Sequence, residues 1–330
     1  MNLHQPFKNI LIGFYLLIIC ITKLNAQTPV NYTFTGNGNW NNAANWSNDT
    51  IPSAIVPGRD TITIATPTGD SCVLNQPLVV LPGAIFTVQT GTNFILKGNA
   101  PMPTIYPANI LDLTNWKENL PIDANGTQTG TSEEIDQPQL ATYSIYPYFR
   151  DDTDYTGVIF NANCGGATTS GSGYPRSELR EMTNNGSALA SWSSSVGTST
   201  MEIDQVVTHL PVVKPQIVVG QIHGPSDDII TFRLEGTHLY MDHNGVAGNN
   251  LDSNYVLGTR FKAKFVVANN QVQSYYNGVL KETYPISFTG AYFKAGAYVQ
   301  SSCKGSKEVT GESCDAYGEV IIYNVTVTHQ

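Results

Sequence analysis

With 330 residues, the chain is long enough for one sizeable core and a smaller second unit. Its 17 Lys and Arg against 26 Asp and Glu give a formal net charge of −9. Long-range electrostatics therefore work against nucleic acid, and any anionic ligand must be held by a local cluster of Arg and Lys. At 41% hydrophobic and 13% charged residues, the composition also excludes a chain too polar to fold.

In chain order, Lys8 and the apolar runs "ILIGFYLLIIC" and "ITKLNAQ" read as a secretory signal peptide over residues 1–26, cleaved after Ala26. The run is short for a membrane span, and no later stretch approaches the required length. Export is expected, to the bacterial periplasm, the cell surface or the medium, with no integral membrane segment after cleavage. Anchoring as a lipoprotein through Cys20 is the rival, but "LIIC" lacks small residues before the cysteine. Cleavage removes Lys8 and Lys23 and no acid, so the mature chain is more acidic still.

Residues 27–97 alternate short β-branched runs, "DTITI", "LVVL", "IFTV" and "FILKG", with Gly, Asn and Pro turns. The runs look like stacked coils of a small parallel β-solenoid, an accessory β module. It serves as a spacer or folding cap or, if Trp40 and Trp46 are exposed and stack on sugar rings, as a glycan-binding unit. A Pro-rich linker, "NAPMPTIYPAN", occupies about residues 98–108. From 105 to 330 the β patterns continue: "ATYSIYPYF", "GVIFNANC", "SELREM", "STMEIDQVV", "QIVVGQIHG", "IITFRLEG", "HLYMDHNG", "RFKAKFVVANN", "QVQSYYNGVL", "AYFKAGAYVQ" and "GEVIIYNVTVTH". Asn277-Gly278 is a hairpin turn signal. About eleven antiparallel strands predict an all-β fold, a β-sandwich jelly roll.

Four cysteines follow the signal segment. Cys303 and Cys314 enclose "KGSKEVTGES" and are expected to staple that loop by a disulfide; a Cys72–Cys164 bridge is the open second pairing. No Cys and His spacing resembles a zinc site, so no metal and no cofactor are expected.

Three segments share a period of two. In "RSELR", Arg176, Glu178 and Arg180 fall on one face of a strand; in "QIH", Gln221 and His223 do, with Ile222 behind them. In "YFKAGAYVQ", Tyr292, Lys294, Tyr298 and Gln300 alternate with Phe293, Ala295, Ala297 and Val299. Such strands describe a curved sheet with a polar, concave cleft. Taken singly, each motif is an ordinary ion-pair ladder, structural histidine or rim tyrosine; the conjunction is what points to chemistry.

These blocks, in this order, resemble the three signature segments of polysaccharide lyase family 7, the alginate lyases, and the likeness extends through "LDLTNWKENLP" and "YVLGTRFKAKF" over residues 105–330. The resemblance implies a concanavalin-like jelly roll and a monomeric lyase that cleaves alginate by β-elimination. It implies Arg176, Gln221, His223 and Tyr298 as the catalytic set, Glu178 orienting Arg176, and a substrate-binding group of Glu178, Arg180, Tyr292, Lys294 and Gln300. Val299 stands where the family often carries Asn, from which a subsite effect is expected. The residue types fit independently. Removing a C5 proton beside a charged carboxylate needs donors that neutralise the carboxylate, a base, and an acid for the leaving oxygen. Arg176 and Gln221 supply donors, His223 and Tyr298 the proton-transfer groups.

The alternatives are a lyase acting on glucuronan, a jelly-roll glycoside hydrolase, and a non-catalytic glycan-binding protein. Glu202 and Asp204 in "MEIDQVV" suggest the hydrolase, but the second carboxylate expected further along that strand is missing, Val206 and Val207 following instead. His209, His238, His243 and His329 read as structural or exposed.

Overall fold

A computed structural model describes residues 29–97 and 103–330. The expected signal peptide with Cys20, and residues 98–102 of the linker, lie outside the described residues. No helix among the described residues is long and apolar enough to cross a membrane.

Beyond the linker, two antiparallel sheets pack face to face. One, of nine strands, runs Glu134–Ile135, Trp116–Asn119, Arg176–Thr183, Tyr292–Val299, Gln216–His223, Asp228–Glu235, His238–His243 and Val246–Asp252, with Ala188–Leu189 paired beside Arg176–Thr183. The other, of seven, runs Phe149–Asp151, Val158–Asn163, Tyr317–His329, Ser199–His209, Arg260–Ala268, Gln271–Tyr276 and Val279–Pro285. Alternation decides which face is buried. Phe293, Ala295, Ala297 and Val299 are fully enclosed between the sheets, while Phe232 stacks on Phe265 of the facing sheet at 4.0 Å between ring centroids. Each enclosed Phe is worth about 1.5–3 kcal/mol. A one-residue slip would expel the whole row, so the register is strongly set.

The sandwich expected from the sequence is present, with more strands than the pattern revealed. Val246–Asp252 and Trp116–Asn119 carry Gly, Asn and Lys where β-branched residues would mark a strand. Conversely, most of "ATYSIYPYF" is not strand: Gln139–Thr142 forms a 3-10 turn and pairing resumes at Phe149. Pro147 within that run has no N–H to give a ladder.

One irregularity positions the cleft. The Gln216–His223 strand pairs with Tyr292–Val299 through a register shift between Val218 and Gly220. Ile217 lies in the core before it and Val219 within it; after it Ile222 returns to the core and Gln221 and His223 pair with Lys294 and Tyr292. The unpaired residue of the shift is Val219, and Gly220, where pairing resumes, faces the core, where a Cβ would sit 2.7 Å from Ile203 Cδ1.

Residues 29–97 stack in parallel. Asn31–Phe34, Thr61–Ile64 and Ile85–Val88 form one ladder, Gly38–Asn39, Ser71–Leu74 and Asn93–Leu96 a second, and Ile55–Val56 with Val79–Val80 a third. Their interior corrects one expectation. Trp40 and Trp46 are 0% and 2% exposed, packed edge to face at 4.6 Å, with the Trp46 indole N–H donating to the Trp40 carbonyl at 2.8 Å. They are core residues and offer no platform to a sugar. The Asn-rich turn hides them because Asn45 Nδ2 donates to the carbonyls of Asn37 and Asn39, satisfying a loop that folds over the indoles.

Cys303 and Cys314 form the expected disulfide. Cys72 and Cys164 do not pair: both are free and buried, Cys72 in the core of the stacked ladders and Cys164 beside Ala162 and Val299 in the sandwich. Burial pushes both thiols up to about 12.

Candidate active site

The three motif strands are neighbours, with Tyr292–Val299 in the middle. Arg176 pairs with Tyr298 and Arg180 with Lys294 on one side; Gln221 pairs with Lys294 and His223 with Tyr292 on the other. Cross-strand partners share a face, so one side of the sheet gathers these polar groups.

Glu178 lies at the centre and is fully buried. Arg176 Nη1 donates to its Oε2 at 3.0 Å, Lys294 Nζ approaches the same oxygen at 2.5 Å, and Gln221 Nε2 donates to Oε1 at 2.5 Å. A carboxylate only accepts, so the Gln221 amide is fixed with its nitrogen toward Glu178. Burial pushes the Glu178 carboxyl up, but Lys294, Arg176 and Gln221 together hold it below the usual range. Burial and the adjacent Arg176 push the Lys294 ammonium down to about 8, against the pull of Glu178. Of this pair, Glu178 keeps the charge its donors require and Lys294 is the member that yields as pH rises. Glu178 and Lys294 thus form the floor under Arg176 and Gln221 rather than an open rim.

His223 and Tyr298 flank that floor. His223 Nδ1 lies 2.6 Å from the Gly224 carbonyl and 3.0 Å from Tyr292 Oη. The carbonyl can only accept, so Nδ1 carries the proton and Nε2 keeps a lone pair. Burial, reinforced by Lys294 against the Gly224 hydrogen bond, holds the imidazole pKa below its ordinary value. The ring is neutral and basic at neutral pH. Tyr298 is half-buried; its hydroxyl sits 2.9 Å from Ser172 Oγ and its ring lies under the Arg176 guanidinium at 3.7 Å. The motif is repeated at the other end, where Arg180 covers the Tyr292 ring at 4.0 Å and Tyr292 stacks on His223. Guanidinium on tyrosine is a favourable cation–π contact that also limits ring rotation.

The polar face runs further than the motifs. Lys117 pairs with Arg180 and Asn119 with Glu178, and both donate to Glu134 of the edge strand. Burial pushes Glu134 up, yet Lys117 and Asn119 hold it below the usual carboxylate range. "WKEN" hid this row because its four residues are all buried, with no apolar alternation to read. Gln300 follows the end of the strand, is 7% exposed, and makes a 3.5 Å bond to the neighbouring Val299 carbonyl; it is not joined to the central network. Val299 is fully enclosed against Ala162 and Cys164. It faces away from the cleft, so the expected subsite effect has no geometric basis.

Glu202 and Asp204 lie in the other sheet, engaged by Lys264, Lys262 and Arg260. No hydrolytic pair forms there. The remaining described histidines have structural partners: His329 joins Glu181 to Ser199, His243 meets Glu282, and His209 and His238 stack on tyrosines. A cavity of about 750 Å³ lined by Glu181, Trp192 and His329 contains none of the polar-face residues described above. Among the described residues, no group of three or more His, Cys, Asp and Glu is placed to hold a metal ion.

A family model described as alginate lyase matches residues 111–329. An alginate lyase of Klebsiella pneumoniae is 27% identical over 162 residues, 42% of this chain and 52% of that protein; the chain spans about half the length of this curated relative. Among solved structures, alginate lyase AlgAT5 of polysaccharide lyase family 7 is 52% identical, covering 69% of this chain and 100% of that one, with a TM-score of 0.64. An alginate lyase from Corynebacterium sp. is 47% identical over 68% of this chain and 98% of that one, again at 0.64. A family 7 alginate lyase in complex with substrate is 27% identical over 69% and 98% of the two chains, with a TM-score of 0.56.

Proposed function

The chain belongs to the alginate lyase family, and from that premise we propose that it is a polysaccharide lyase cleaving the 1,4-glycosidic bond of alginate by β-elimination, leaving a 4,5-unsaturated uronate. The observation that carries this reading is the convergence of Arg176, Gln221 and Lys294 on buried Glu178, with His223 and Tyr298 on the same face. Three cations, Arg176, Arg180 and Lys294, stand against one central carboxylate, so this face is locally positive in an acidic protein.

Arg176 and Gln221, fixed from below by Glu178, hold the uronate carboxylate and stabilise the charge that develops on it when the C5 proton leaves. The base takes that proton, the C5 electron pair forms the C4–C5 double bond, and the C4–O4 bond breaks as Tyr298 gives its proton to O4. His223 Nε2 is the base for guluronate. Mannuronate has the opposite C5 configuration, and there Tyr298, entering as the phenolate, takes the C5 proton and hands that same proton to O4. In the family, the "QIH" form of the second block goes with acceptance of guluronate.

Residues 27–97 are assigned as an accessory module and 105–330 as the enzyme; the family match beginning at 111 supports that division. The reading of residues 1–26 as a signal peptide places the enzyme outside the cytoplasm. The test is incubation with polyguluronate, polymannuronate and glucuronan separately, following ultraviolet absorbance of the unsaturated product. New reducing ends without absorbance would mean hydrolysis, and turnover of glucuronan alone would move the substrate.

A further inference from the structure

The disulfide loop reaches the cleft. Tyr174, two residues before Arg176, packs edge to face on Tyr298 with ring centroids 6.5 Å apart. Its backbone N–H donates to Ser172 Oγ at 3.1 Å, the oxygen that also meets the Tyr298 hydroxyl. Two lysines converge on Tyr174. Lys214 Nζ donates to its hydroxyl oxygen at 2.9 Å, and Lys307 Nζ lies 5.7 Å from its ring centroid.

Both lysines are organised by the segment between Cys303 and Cys314. Glu312, two residues before Cys314, accepts the backbone N–H groups of Val212, Val213 and Lys214 at 3.0–3.2 Å and the Ser301 hydroxyl at 2.8 Å. Those donors outweigh burial and hold its carboxyl below the usual range. They also fix the turn that delivers Lys214. Lys307 belongs to the loop itself, is exposed, and lies on Gly173, where a Cβ would come within 2.6 Å of its Cγ. Among the described residues neither ammonium is ion-paired. With Lys214 occupying a lone pair of Tyr174, the phenol's own proton is left to point at an acceptor.

We propose that Tyr174, Lys214 and Lys307 form a carboxylate-binding subsite for the uronate adjoining the reacting sugar on the Tyr298 side, held in shape by the Cys303–Cys314 loop. The proposal rests on the polyuronate reading above. A polyuronate carries one carboxylate on every ring, so a bound chain must present another beside Tyr298. Two ammonium groups and a phenol offer that carboxylate charge-assisted hydrogen bonds.

The experiment compares full-length wild type with Lys214→Ala, Lys307→Ala and their combination, with Lys307→Arg as the charge-keeping variant and Lys281→Ala as a distant charge control. The first readout is kcat/KM on guluronate oligomers long and short enough to reach or miss the subsite. In the double variant the long-to-short ratio should fall about tenfold, the order expected for charged hydrogen bonds, chiefly through KM. Lys307→Arg should restore most of it and Lys281→Ala should leave it alone. The second readout is calorimetric binding of a saturated oligouronate between low and high salt, where the double variant should lose part of the salt dependence. A wild-type ratio and salt slope in the double variant would overturn the subsite. Lysine-dependent binding without any turnover would break the elimination reading and leave the subsite standing. Cys303→Ser with Cys314→Ser should lower the same ratio by releasing Glu312; an unchanged ratio in a folded double serine variant would remove the loop from the proposal.

Discussion

The stacked ladders of residues 29–97 and the sandwich beyond the linker are both β structures, but they enclose different things. The first hides its aromatic residues: Trp40, Trp46 and Phe34 make a dry interior, and the surrounding Asn residues serve the backbone. The second encloses charge. Arg176, Glu178 and Lys294 are 4%, 0% and 4% exposed, an arrangement whose desolvation cost is tolerable only because both cations sit on the one carboxylate. Stability alone does not require such a cluster, since apolar residues of similar volume would fill the space as well. The contrast locates function: a region whose few buried polar side chains, Asn45, Asp60 and Thr66, bond to its own backbone is explained by folding, while one that buries a matched set of charges beside an open face is arranged for a ligand.

Tyr298→Phe tests that contrast hardest, because it changes shape little and removes one proton. Activity on either uronate should fall by about 10²- to 10⁴-fold, and a variant keeping more than about a tenth of wild-type kcat/KM would take Tyr298 out of the chemistry. His223→Ala should be at least as damaging on polyguluronate and milder on polymannuronate. Equal losses on the two polymers, with the fold verified by circular dichroism, would end the divided-base assignment. Glu178→Gln leaves Arg176 and Lys294 buried without their counter-charge, and chemical denaturation should register a loss of about 3–5 kcal/mol; an unmoved midpoint would show that the floor carries no strain of charge.

The pH profile gives a smaller, graded effect. His223 is held below its ordinary value, so it stays a neutral base as pH falls, and the acid limb of kcat/KM should lie beneath about 6.5. Lys294 carries its charge below about 8 and sheds it above, uncovering Glu178, so an alkaline limb is expected near there. Lys294→Met should abolish that limb; its survival would assign it to another group. Least of all should follow from the first region. Trp46→Ala should destabilise its own ladders by about 3–5 kcal/mol without altering kcat/KM on short oligosaccharides. Deleting residues 27–104 should likewise leave kcat/KM on short oligosaccharides unaltered. An inactive but folded truncation would refute the division into module and enzyme.

What the sequence disclosed follows from period two. Arg176, Glu178 and Arg180 could be placed on one face because Leu179 and Ser177 lie between them, and the same holds for Gln221 with His223 and for the alternation from Tyr292 to Val299. Depth was not legible. Alternation says which face a side chain takes, not whether neighbours cover it, so Lys294 reads like Arg180 although one is floor and the other rim. Lys117 and Asn119 were missed because a four-residue strand buried on both faces has no contrast, and Glu134 because a two-residue edge strand is too short to show a period. Trp40 and Trp46 misled because Asn-rich surroundings mark a turn, and a turn can close over an indole when its own amides are bonded inward. Cys72 and Cys164 sit in two different cores, a separation that spacing along the chain cannot express.

The bulge at Val219, next to Gly220, has an evolutionary reading. It puts the two halves of one strand out of step, so Ile217 and Val219 ahead of the glycine answer to the core, while beyond it Gln221 and His223 answer to the substrate and Ile222 alone turns back to the core. Apolar exchanges ahead of it should drift freely, because they cannot drag the polar pair out of the cleft. Gly220 itself should tolerate replacement poorly, since a Cβ would meet Ile203 Cδ1 at 2.7 Å and the Phe232 ring at 3.2 Å, so both must shift. A saturation scan of residues 216–223 selected for turnover would then show tolerance, a single intolerant glycine, and chemistry, in that order along eight residues.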